Sequence, residues 1–507
     1  MRRVLMSSAM FMLAACDLSP DYTLPSMTMP STFKEDTDQP IADVAPATDG
    51  VWKRFDETAK IEEFAWWRMF KDAQLDMLME QAMKDNPSLA VAIERVNAAR
   101  AVSRTAFAPL LPEVNVGFGP ERQLQSAAAI NANLPPNAQI TTKPYTLYTA
   151  RGTITYDLDL FGQNRGRLRA AENDAAAEAS NYRAARLTLQ AEVAQTYYQV
   201  AALRAEDAIV KKTIASRQQN VTLNKLKNDA GLVDSLVLSQ AETDLATAKA
   251  EGASVAQSLS VAEHALAALL GVVPSQLNIT TTELKTAPPS IPAGLPSSLL
   301  ERRPDIKQAE KLIAAANERI GVARGGYFPD ISLSATGGGV ASTLGDVFKW
   351  SSRTWAIGPL AGTILTQPIF SGGRVAAARA ETDADFLAAV ATYRGSVLTA
   401  FREVEDQLSG VRYVNVQEQA TRDAVAAASR ARIVAKARFE NGYSSQLDYL
   451  DVDRQLLAAK RSQIQTRGQQ YITTIQLVKA LGGSWQTPVL PEKTGNTPTA
   501  VPAKQTN

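Results

Sequence analysis

The chain has very few of the residues on which most enzymes and metal proteins depend. Its 507 residues include one cysteine, Cys16, and one histidine, His264. A lone cysteine cannot form an internal disulfide, and a lone histidine leaves no metal-ligand spacing and no plausible Ser/His/Asp set. His264 lies in a helix end rich in Ala and Leu, which favours a packed or surface role. The sequence therefore predicts no catalytic residue, no metal site and no cofactor.

The sequence also lacks an excess of charge of either sign and a long apolar segment. Lys plus Arg number 53 and Asp plus Glu number 52, so there is no basic balance of the kind that favours a nucleic-acid partner. Beyond the N-terminus, no stretch offers the roughly 18 uncharged apolar residues of a membrane helix.

The first sixteen residues have the pattern of an export signal. Met1-Arg2-Arg3 is basic, an apolar stretch follows, and Leu13-Ala14-Ala15-Cys16 resembles a bacterial lipobox, in which the cysteine receives acyl chains such as palmitate. We expect 1–15 to be a lipoprotein signal peptide and 16–60 to be a lipidated tether along a folded body. The alternative is an ordinary signal peptide in which Cys16 has no role.

The rest of the chain repeats itself. Asn86-Pro87 and Arg303-Pro304 open similar helical runs about 217 positions apart, and later motifs match at offsets that fall only to about 211. These matches predict a tandem duplication, with a first repeat over 61–285, a second over 286–485 and a tail over 486–507. Each repeat is predicted as helix, two strands, long helix, turn and long helix.

Two long segments contain no proline. They cover about 164–229 and 373–440, and each is followed by a shorter helical segment, at about 233–269 and 445–481. A segment of that length would form a helix of roughly 100 Å. Helices this long exceed those of ordinary globular proteins and are typical of coiled-coil-like bundles.

Four segments are predicted to be strands, at about 113–119, 146–160, 330–338 and 354–369. From Tyr148 to Leu160 the even positions are apolar or small and the odd positions are polar. Outer-membrane strands have this alternation over about ten residues, but so does a soluble sheet with one face on a core. We interpret Gly337-Gly338-Gly339, which lacks the lysine of a phosphate loop, as an extracellular loop.

Strands that cross a membrane would require more than one copy of the chain. Every backbone polar group in lipid has to be paired, so an open four-stranded sheet cannot span a bilayer. Other copies would have to complete it, and three copies would give about twelve strands around an opening. The residues themselves do not fix the number at three.

Several motifs together resemble one family. Leu299-Leu300-Glu301-Arg302-Arg303-Pro304-Asp305-Ile306 is similar to the signature of the TolC/OprM-type outer-membrane efflux channels. Asp157-Leu158-Asp159-Leu160-Phe161-Gly162 and Pro368-Ile369-Phe370-Ser371-Gly372-Gly373-Arg374 resemble the strand-to-helix junctions of that family. Cys16 followed by Pro20-Asp21-Tyr22 resembles its NodT-like lipoprotein branch.

The resemblance implies a fold and a set of partners. The expected fold is mainly α with a membrane β-barrel: long helical hairpins form a periplasmic barrel, and four strands per protomer complete a 12-stranded barrel in a homotrimer. The implied function is a passive, gated conduit anchored in outer-membrane lipid, which docks to a periplasmic adaptor and an inner-membrane RND-type pump. The alternative is a periplasmic scaffold lipoprotein that binds partners through its hairpins and forms no channel.

The resemblance also assigns roles to residues of the second hairpin. Leu447 matches an apolar constriction position of the family's periplasmic gate, and Asp448 and Asp451 match acidic ring positions. Three-fold symmetry would gather their charges and favour cation binding. The alternative is that both aspartates complement the dipole at a helix start.

The turns at the ends of the long helices are the remaining candidates. Gly231 and Gly442 each follow a long helix and are predicted to form C-caps at chain reversals. By the resemblance these tips dock the adaptor, through the six residues Ala230, Gly231, Leu232, Asn441, Gly442 and Tyr443. The alternative is that they are connecting turns only.

Overall fold

The structure is a computed structural model that describes residues 18–24, 33–35, 65–131, 135, 140–279, 284, 287–291, 303–357 and 365–483. The helices in these ranges are numbered here in chain order. They are α1 Ala73–Asp85, α2 Pro87–Phe107, α3 Ala127–Asn131, α4 Gln163–Asp229, α5 Ser235–Leu269, α6 Pro304–Gly325, α7 Arg374–Glu440 and α8 Gln446–Ala480.

The helices confirm the predicted repeat. The long helices α4 and α7 contain 67 residues each, and the return helices α5 and α8 contain 35 each. The helices α2 and α6 both begin at the predicted prolines, because proline has the backbone angle of a first helical residue and needs no amide donor there. Within the described part of the chain, the helices all lack an 18-residue stretch apolar enough for a bilayer.

The strands form one antiparallel sheet. They are β1 Glu113–Gln123, β2 Tyr145–Asp157, β3 Asp330–Ala341, β4 Arg353–Ile357 and β5 Leu365–Thr366. Their order is β1-β2-β3-β4, and β5 also pairs with β3. The β2–β3 ladder therefore joins the second strand of the first repeat to the first strand of the second repeat.

Two details of the strand prediction were wrong. The triplet Gly337-Gly338-Gly339 lies inside β3 and pairs with Ala150, Arg151 and Gly152, so it is not a loop. The second strand ends at Asp157 rather than at 160, because Asp159 takes a left-handed backbone conformation that starts the turn into α4. The fourth predicted strand, over 354–369, contains β4 and β5, and residues 358–364 between them lie outside the described residues.

The chain folds into two compact units, and each takes segments from both repeats. The first contains the described residues within Met1–Ser26, Ile93–Ser180 and Gln308–Gly395, and the second those within Met27–Ala92, Asn181–Lys307 and Ser396–Asn507. The first unit holds the whole sheet. The second holds both helical hairpin turns.

The second unit has an aromatic core. The rings of Tyr198 and Tyr471 lie 4.3 Å apart, and Phe70 packs against both. Trp66 is fully buried beside them, and its indole donates a hydrogen bond to Gln190 at 3.2 Å. This core anchors the segment that begins at Trp66 to the long helices.

Candidate functional site

The sheet of the first unit has one apolar face and one polar face. In register across four strands lie Val114, Ile154, Ala335 and Ile357. One residue further along, on the opposite face, lie Asn115, Thr153, Thr336 and Ala356. Because neighbouring residues of a strand point to opposite sides, the alternation seen in β2 extends over the whole sheet.

The apolar face is exposed. The exposed fraction is 64% for Val114, 86% for Val116 and 77% for Trp355, and Ile154 and Ile357 on the same face are exposed as well. Monomeric soluble proteins rarely leave a contiguous apolar patch of this kind in water. This face is therefore suited to contact with lipid or with another protein rather than with water.

The two hairpin tips have the same backbone geometry. The amides of Gly231 and Leu232 donate to the carbonyls of Asn228 and Lys227, at 2.9 and 2.8 Å. At the second tip, the amides of Gly442 and Tyr443 donate to Phe439 and Arg438, at 3.0 and 2.8 Å. Both are Schellman motifs, and both glycines have a positive φ, so the predicted C-caps are confirmed.

Each tip presents one large apolar side chain to solvent. Leu232 at the first tip and Tyr443 at the second are 75% and 84% exposed, and each directly follows the cap glycine. Ala230 and Asn441 precede the two glycines in the same turns. An exposed apolar residue at a rigid tip can contact a partner, but the docking role of the tips stays a prediction.

Asp448 takes part in a capping box at the start of α8. Its backbone amide donates to Ser445 Oγ at 3.2 Å, and its carboxylate accepts from the Ser445 amide at 3.0 Å. Asp448 therefore makes the helix-start interaction that was the alternative to its gate role. This interaction leaves the carboxylate exposed, so it is compatible with a gate role, which stays a prediction.

Leu447 and Asp451 lie beside this cap. Leu447 is 49% exposed, and Asp451 accepts a hydrogen bond from Gln455 one turn later at 2.9 Å. Together with Asp448 they give the start of α8 an apolar residue and two carboxylates. At the matching positions, the start of α5 has Leu236, Val237 and Gln240, and it is capped by Asp234.

Sequence reasoning missed Asp453, the best-paired acid near this tip. Its carboxylate accepts from Arg217 of α4 at 2.9 Å and from Arg432 of α7 at 2.6 Å. Arg217 is buried, and the bond to Asp453 raises the pKa of Arg432 above its ordinary value. Arg432 also donates to the hydroxyl of Tyr449 at 3.3 Å, and the ring of Tyr449 stacks on Phe439.

Similar polar links tie α8 to its neighbours further along. Arg461 pairs with Glu206 of α4 at 2.8 Å and with Glu251 of α5 at 3.2 Å, and Arg454 pairs with Asp244 of α5. Charge pairs thus link α8 to α4 and α5 of the first hairpin and to α7 of its own hairpin. The only sequence signal for them was the arginine content of α8, which does not reveal partners about 200 residues away.

Cys16 lies outside the described residues, but the segment that follows it is placed. In the first unit, Ser19 Oγ donates to Glu318 of α6 at 2.9 Å, and Asn317 donates to the carbonyl of Pro20 at 2.7 Å. A side chain at Gly321 would clash with Ser19. This fit holds the described residues 18–24 against α6, and the lipidated tether over 16–60 stays a prediction.

Comparison with known proteins identifies the family. A family model described as outer membrane efflux protein matches residues 78–272 and 295–483. The chain therefore belongs to the outer membrane efflux protein family, and it is an outer-membrane channel component of an efflux system. The resemblance seen in the sequence motifs is confirmed.

Relatives match over nearly the whole length. The toluene efflux pump outer membrane protein TtgC of Pseudomonas putida is 31% identical over 480 residues, which is 94% of each chain. Outer membrane protein OprJ of Pseudomonas aeruginosa is 32% identical over 479 residues, or 93% of this chain and 94% of OprJ. The open-state MtrE channel of Neisseria gonorrhoeae aligns with a TM-score of 0.77 at 26% identity, covering 92% of this chain and 98% of MtrE.

Proposed function

We propose that three copies of this chain form a passive, gated conduit whose strands close into a 12-stranded barrel in the outer membrane. The carrying observation is the exposed apolar face that runs in register across β1, β2, β3 and β4. Lipid would cover that face, and the polar face would line the opening. Further copies supply the pairing that the two sheet edges need.

The same proposal includes a lipid anchor at Cys16. The described segment that follows it is fixed to α6 by Ser19 and Pro20, three and four residues after the cysteine. Acyl chains on Cys16 would then tie the body of the protein to the membrane surface, with about 0.8 kcal/mol gained for each buried CH₂. Mass spectrometry should find an acylated cysteine at the mature N-terminus, and an unmodified N-terminus elsewhere would overturn the anchor.

The hairpin tips are proposed to dock a periplasmic adaptor that links the channel to an inner-membrane RND-type pump. Support comes from the matched geometry of the two tips and from the exposed Leu232 and Tyr443. Relatives of the chain include outer membrane proteins of a toluene efflux pump and of an antibiotic efflux pump, so the exported class we propose is small organic molecules. The pump supplies the energy, and we assign the channel no catalytic role.

At the start of α8, Leu447, Asp448 and Asp451 are proposed to line the closed periplasmic end of the tunnel. Each protomer contributes acids from its second hairpin only, since the first has Val237 and Gln240 instead. Three copies would bring six carboxylates together, which attracts multivalent cations.

Planar-bilayer recording tests the channel directly. The purified protein should be a detergent-stable trimer that conducts ions, whereas a periplasmic scaffold would insert no pore. Leu447→Ala should raise the resting conductance, and Asp448→Ala with Asp451→Ala should weaken block by multivalent cations added on the periplasmic side. Identical recordings for wild type and these variants would move the gate elsewhere.

A matched pair of substitutions in β2 tests the orientation of the sheet. Ile154→Arg places a charge on the apolar face and should cost roughly 2–4 kcal/mol near mid-membrane, while Thr155→Arg points to the polar face and should cost less. The measurement is the yield of folded, heat-modifiable protein in membranes. Equal tolerance of the two changes would favour a soluble sheet.

A further inference from the structure

The loop between β3 and β4 folds back onto the sheet. A Cβ at Gly339 would lie only 2.0 Å from the carbonyl oxygen of Val347, and the side chain of Val347 is buried. Lys349 pairs with Asp346, which also accepts a hydrogen bond from the hydroxyl of Thr343 at 2.6 Å. The loop is therefore an ordered part of the fold, and the charge of Lys349 is compensated within it.

This loop lies at the end of the sheet that is remote from the start of α4. The strand β2 leads into α4, and β3 begins just after α6, whereas the loop follows the last residue of β3. Because β3 has 12 residues, its two ends are roughly 40 Å apart. In the proposed channel the helices lie on the periplasmic side, so the loop reaches the outer leaflet of the membrane.

Three large aromatic side chains are exposed in and beside the loop. Phe348 and Trp350 are 75% and 77% exposed, and Trp355 on β4 is as exposed as Trp350. Tryptophan is enriched at the boundary between a membrane and water, because its ring is apolar and its N–H is polar. This end of the sheet is therefore suited to the level of the lipid headgroups.

Arg353 places a cation on the apolar face at this end. It pairs with Gly339 in the row that contains Phe118, and it lies two residues beyond Trp355 on the same side of β4. Its guanidinium carbon is 3.8 Å from the centroid of the Trp350 ring, which is a cation–π contact. Of the residues that the structure describes, none offers Arg353 a carboxylate at ion-pair distance.

The position of Arg353 restricts what can compensate its charge. A cation on a lipid-facing surface is costly in the hydrocarbon and is tolerated near the interface, where it meets headgroups. A guanidinium has five N–H donors in a planar fork that fits two oxygens of one phosphate. Because the ring of Trp350 covers only the face of the guanidinium, the donors at its edge remain available to a ligand.

We propose that Arg353 binds the phosphate monoester of a lipid in the outer leaflet. The ring of Trp350 holds the guanidinium in place, and Phe348 and Trp355 contact the apolar part of the same lipid. A phosphate monoester carries more than one negative charge near neutral pH, which complements a cation that lacks a carboxylate partner. The inference rests on the proposed channel and names a ligand for its outward end.

Arg151 on β2 provides a matched control. It is also an exposed arginine, and it pairs with Gly338, the neighbour of the residue that pairs with Arg353. Neighbouring residues of a strand point to opposite sides, so Arg151 lies on the polar face, which lipid would not reach. Its loss removes the same charge at nearly the same level of the sheet and leaves the proposed lipid site intact.

Lipid binding by the full-length protein tests the site. Wild type, Arg353→Gln, Arg353→Lys, Trp350→Leu and Arg151→Gln are purified in a mild detergent and titrated with diphosphorylated lipid A, and the bound lipid is counted by native mass spectrometry. Phosphatidylcholine, whose phosphate is a diester beside a cation, is the comparison lipid, and inorganic phosphate is added as a competitor. Circular dichroism checks that each variant is folded.

Arg353→Gln should weaken the binding of lipid A about tenfold, because charge-assisted hydrogen bonds to the phosphate are lost. Arg353→Lys keeps the charge but loses the planar fork, and Trp350→Leu loses the ring beneath the guanidinium, so each should weaken binding about threefold. Arg151→Gln should bind lipid A as wild type does. Binding of phosphatidylcholine should be the same in all five proteins.

The possible failures are distinguishable. Equal binding of lipid A by wild type and Arg353→Gln, or an equal loss in Arg151→Gln, overturns the inference and leaves the proposed channel standing. Displacement of lipid A by millimolar inorganic phosphate, or an equal loss of phosphatidylcholine binding in Arg353→Gln, overturns the assignment to a lipid phosphate monoester. A wild type that binds lipid A through Arg353 but conducts no ions in planar bilayers refutes the proposed channel and leaves the lipid site.

Discussion

The two repeats use different side chains at the same joint, by which we mean the contact between the start of α2 or α6 and the end of a return helix. In the first repeat, Asn86 precedes the proline that starts α2, and its side chain donates to the carbonyl of Leu269 at 2.8 Å. In the second repeat, Arg303 precedes the proline that starts α6 and donates to the carbonyl of Ala480, the counterpart of Leu269, at 3.0 Å. Each side chain thus satisfies a carbonyl at the end of a return helix, where the helix itself has no donor.

The joints differ in what else they do. Asn86 uses its remaining oxygen to cap α2, accepting from the amides of Ser88 and Leu89. Arg303 instead forms ion pairs with Asp305 at 2.6 Å and Glu403 at 2.7 Å. The second joint therefore also ties α6 to α7. Duplication kept the geometry of the scaffold and concentrated charge in the second copy, as it did at the hairpins.

The largest effect is expected from removing Arg303. Arg303→Ala should lower the free energy of unfolding by about 3 kcal/mol, because the substitution breaks two ion pairs of a buried arginine and leaves a helix carbonyl unsatisfied. Asn86→Ala should cost about 1–2 kcal/mol, the usual range for loss of an N-cap. Unfolding of the detergent-solubilised protein, followed by circular dichroism, measures both, and equal losses would mean that the added ion pairs contribute nothing.

Asp453 provides the next test, since its counterpart in the first hairpin is the exposed Glu242. Asp453→Asn should destabilise the protein by about 2–3 kcal/mol, because Arg217 is buried and would lose its carboxylate. Glu242→Gln should change little, because exposed charges contribute little to stability. The same unfolding experiment applies, and a loss for Glu242→Gln as large as that for Asp453→Asn would contradict the asymmetry between the hairpins.

The same substitution should cost the same stability at both tip glycines, whereas the two preceding pairs of substitutions should have unequal effects. Gly231 and Gly442 have φ values of +67° and +76°, and a Cβ at either would meet no neighbour, so only backbone strain opposes a side chain. Alanine at either position should cost about 1 kcal/mol. Gly395→Ala, inside α7 and also free of neighbours, should stabilise by up to about 1 kcal/mol. Unequal costs at the two tips would indicate that the tips are not equivalent.

The smallest effect concerns Tyr22 in the segment that follows Cys16. Burial, reinforced by Glu310 and Tyr393, raises the pKa of Tyr22 from 10.0 to about 12. Because the folded pKa lies above the unfolded one, its contribution to stability is complete below pH 10 and is lost as the pH rises toward 12. The absorbance difference between wild type and Tyr22→Phe should titrate near pH 12. A midpoint near pH 10 would mean that this segment does not pack as described.

Much of the fold could be predicted because the repeat carries it in local patterns. The proline-free segments became α4 and α7, and the glycines after them became C-caps, since helix length and helix ends depend on neighbouring residues. Period-two alternation located the strands for the same reason. Their ends were predicted less well, because Asp159 stops β2 by a backbone conformation that an alternating pattern does not register.

The candidate site was predictable only in part. The capping box of Asp448 could be anticipated from its place at a helix start, whereas the role of Asp453 could not, because its two arginines come from α4 and α7. The glycine triplet misled the prediction in the same way: glycine is typical of loops, yet in β3 a Cβ at Gly338 would lie only 2.0 Å from the carbonyl oxygen of Ala150. Glycine is needed at such a position because the neighbouring strand comes too close for a side chain.

The sequence by itself determined the duplication, the long hairpins, the alternation of the strands and the family, because each of these is written in neighbouring residues or in matches between the halves. Only the tertiary structure decided which charges pair along α8, and that the ring of Phe161 stacks on Phe328 while Phe370 is left exposed. Phe161 and Phe370 follow similar strands and precede similar helices, yet only Phe161 meets its partner within the chain. The difference arises because a sheet built from two repeats has one internal boundary and two free edges.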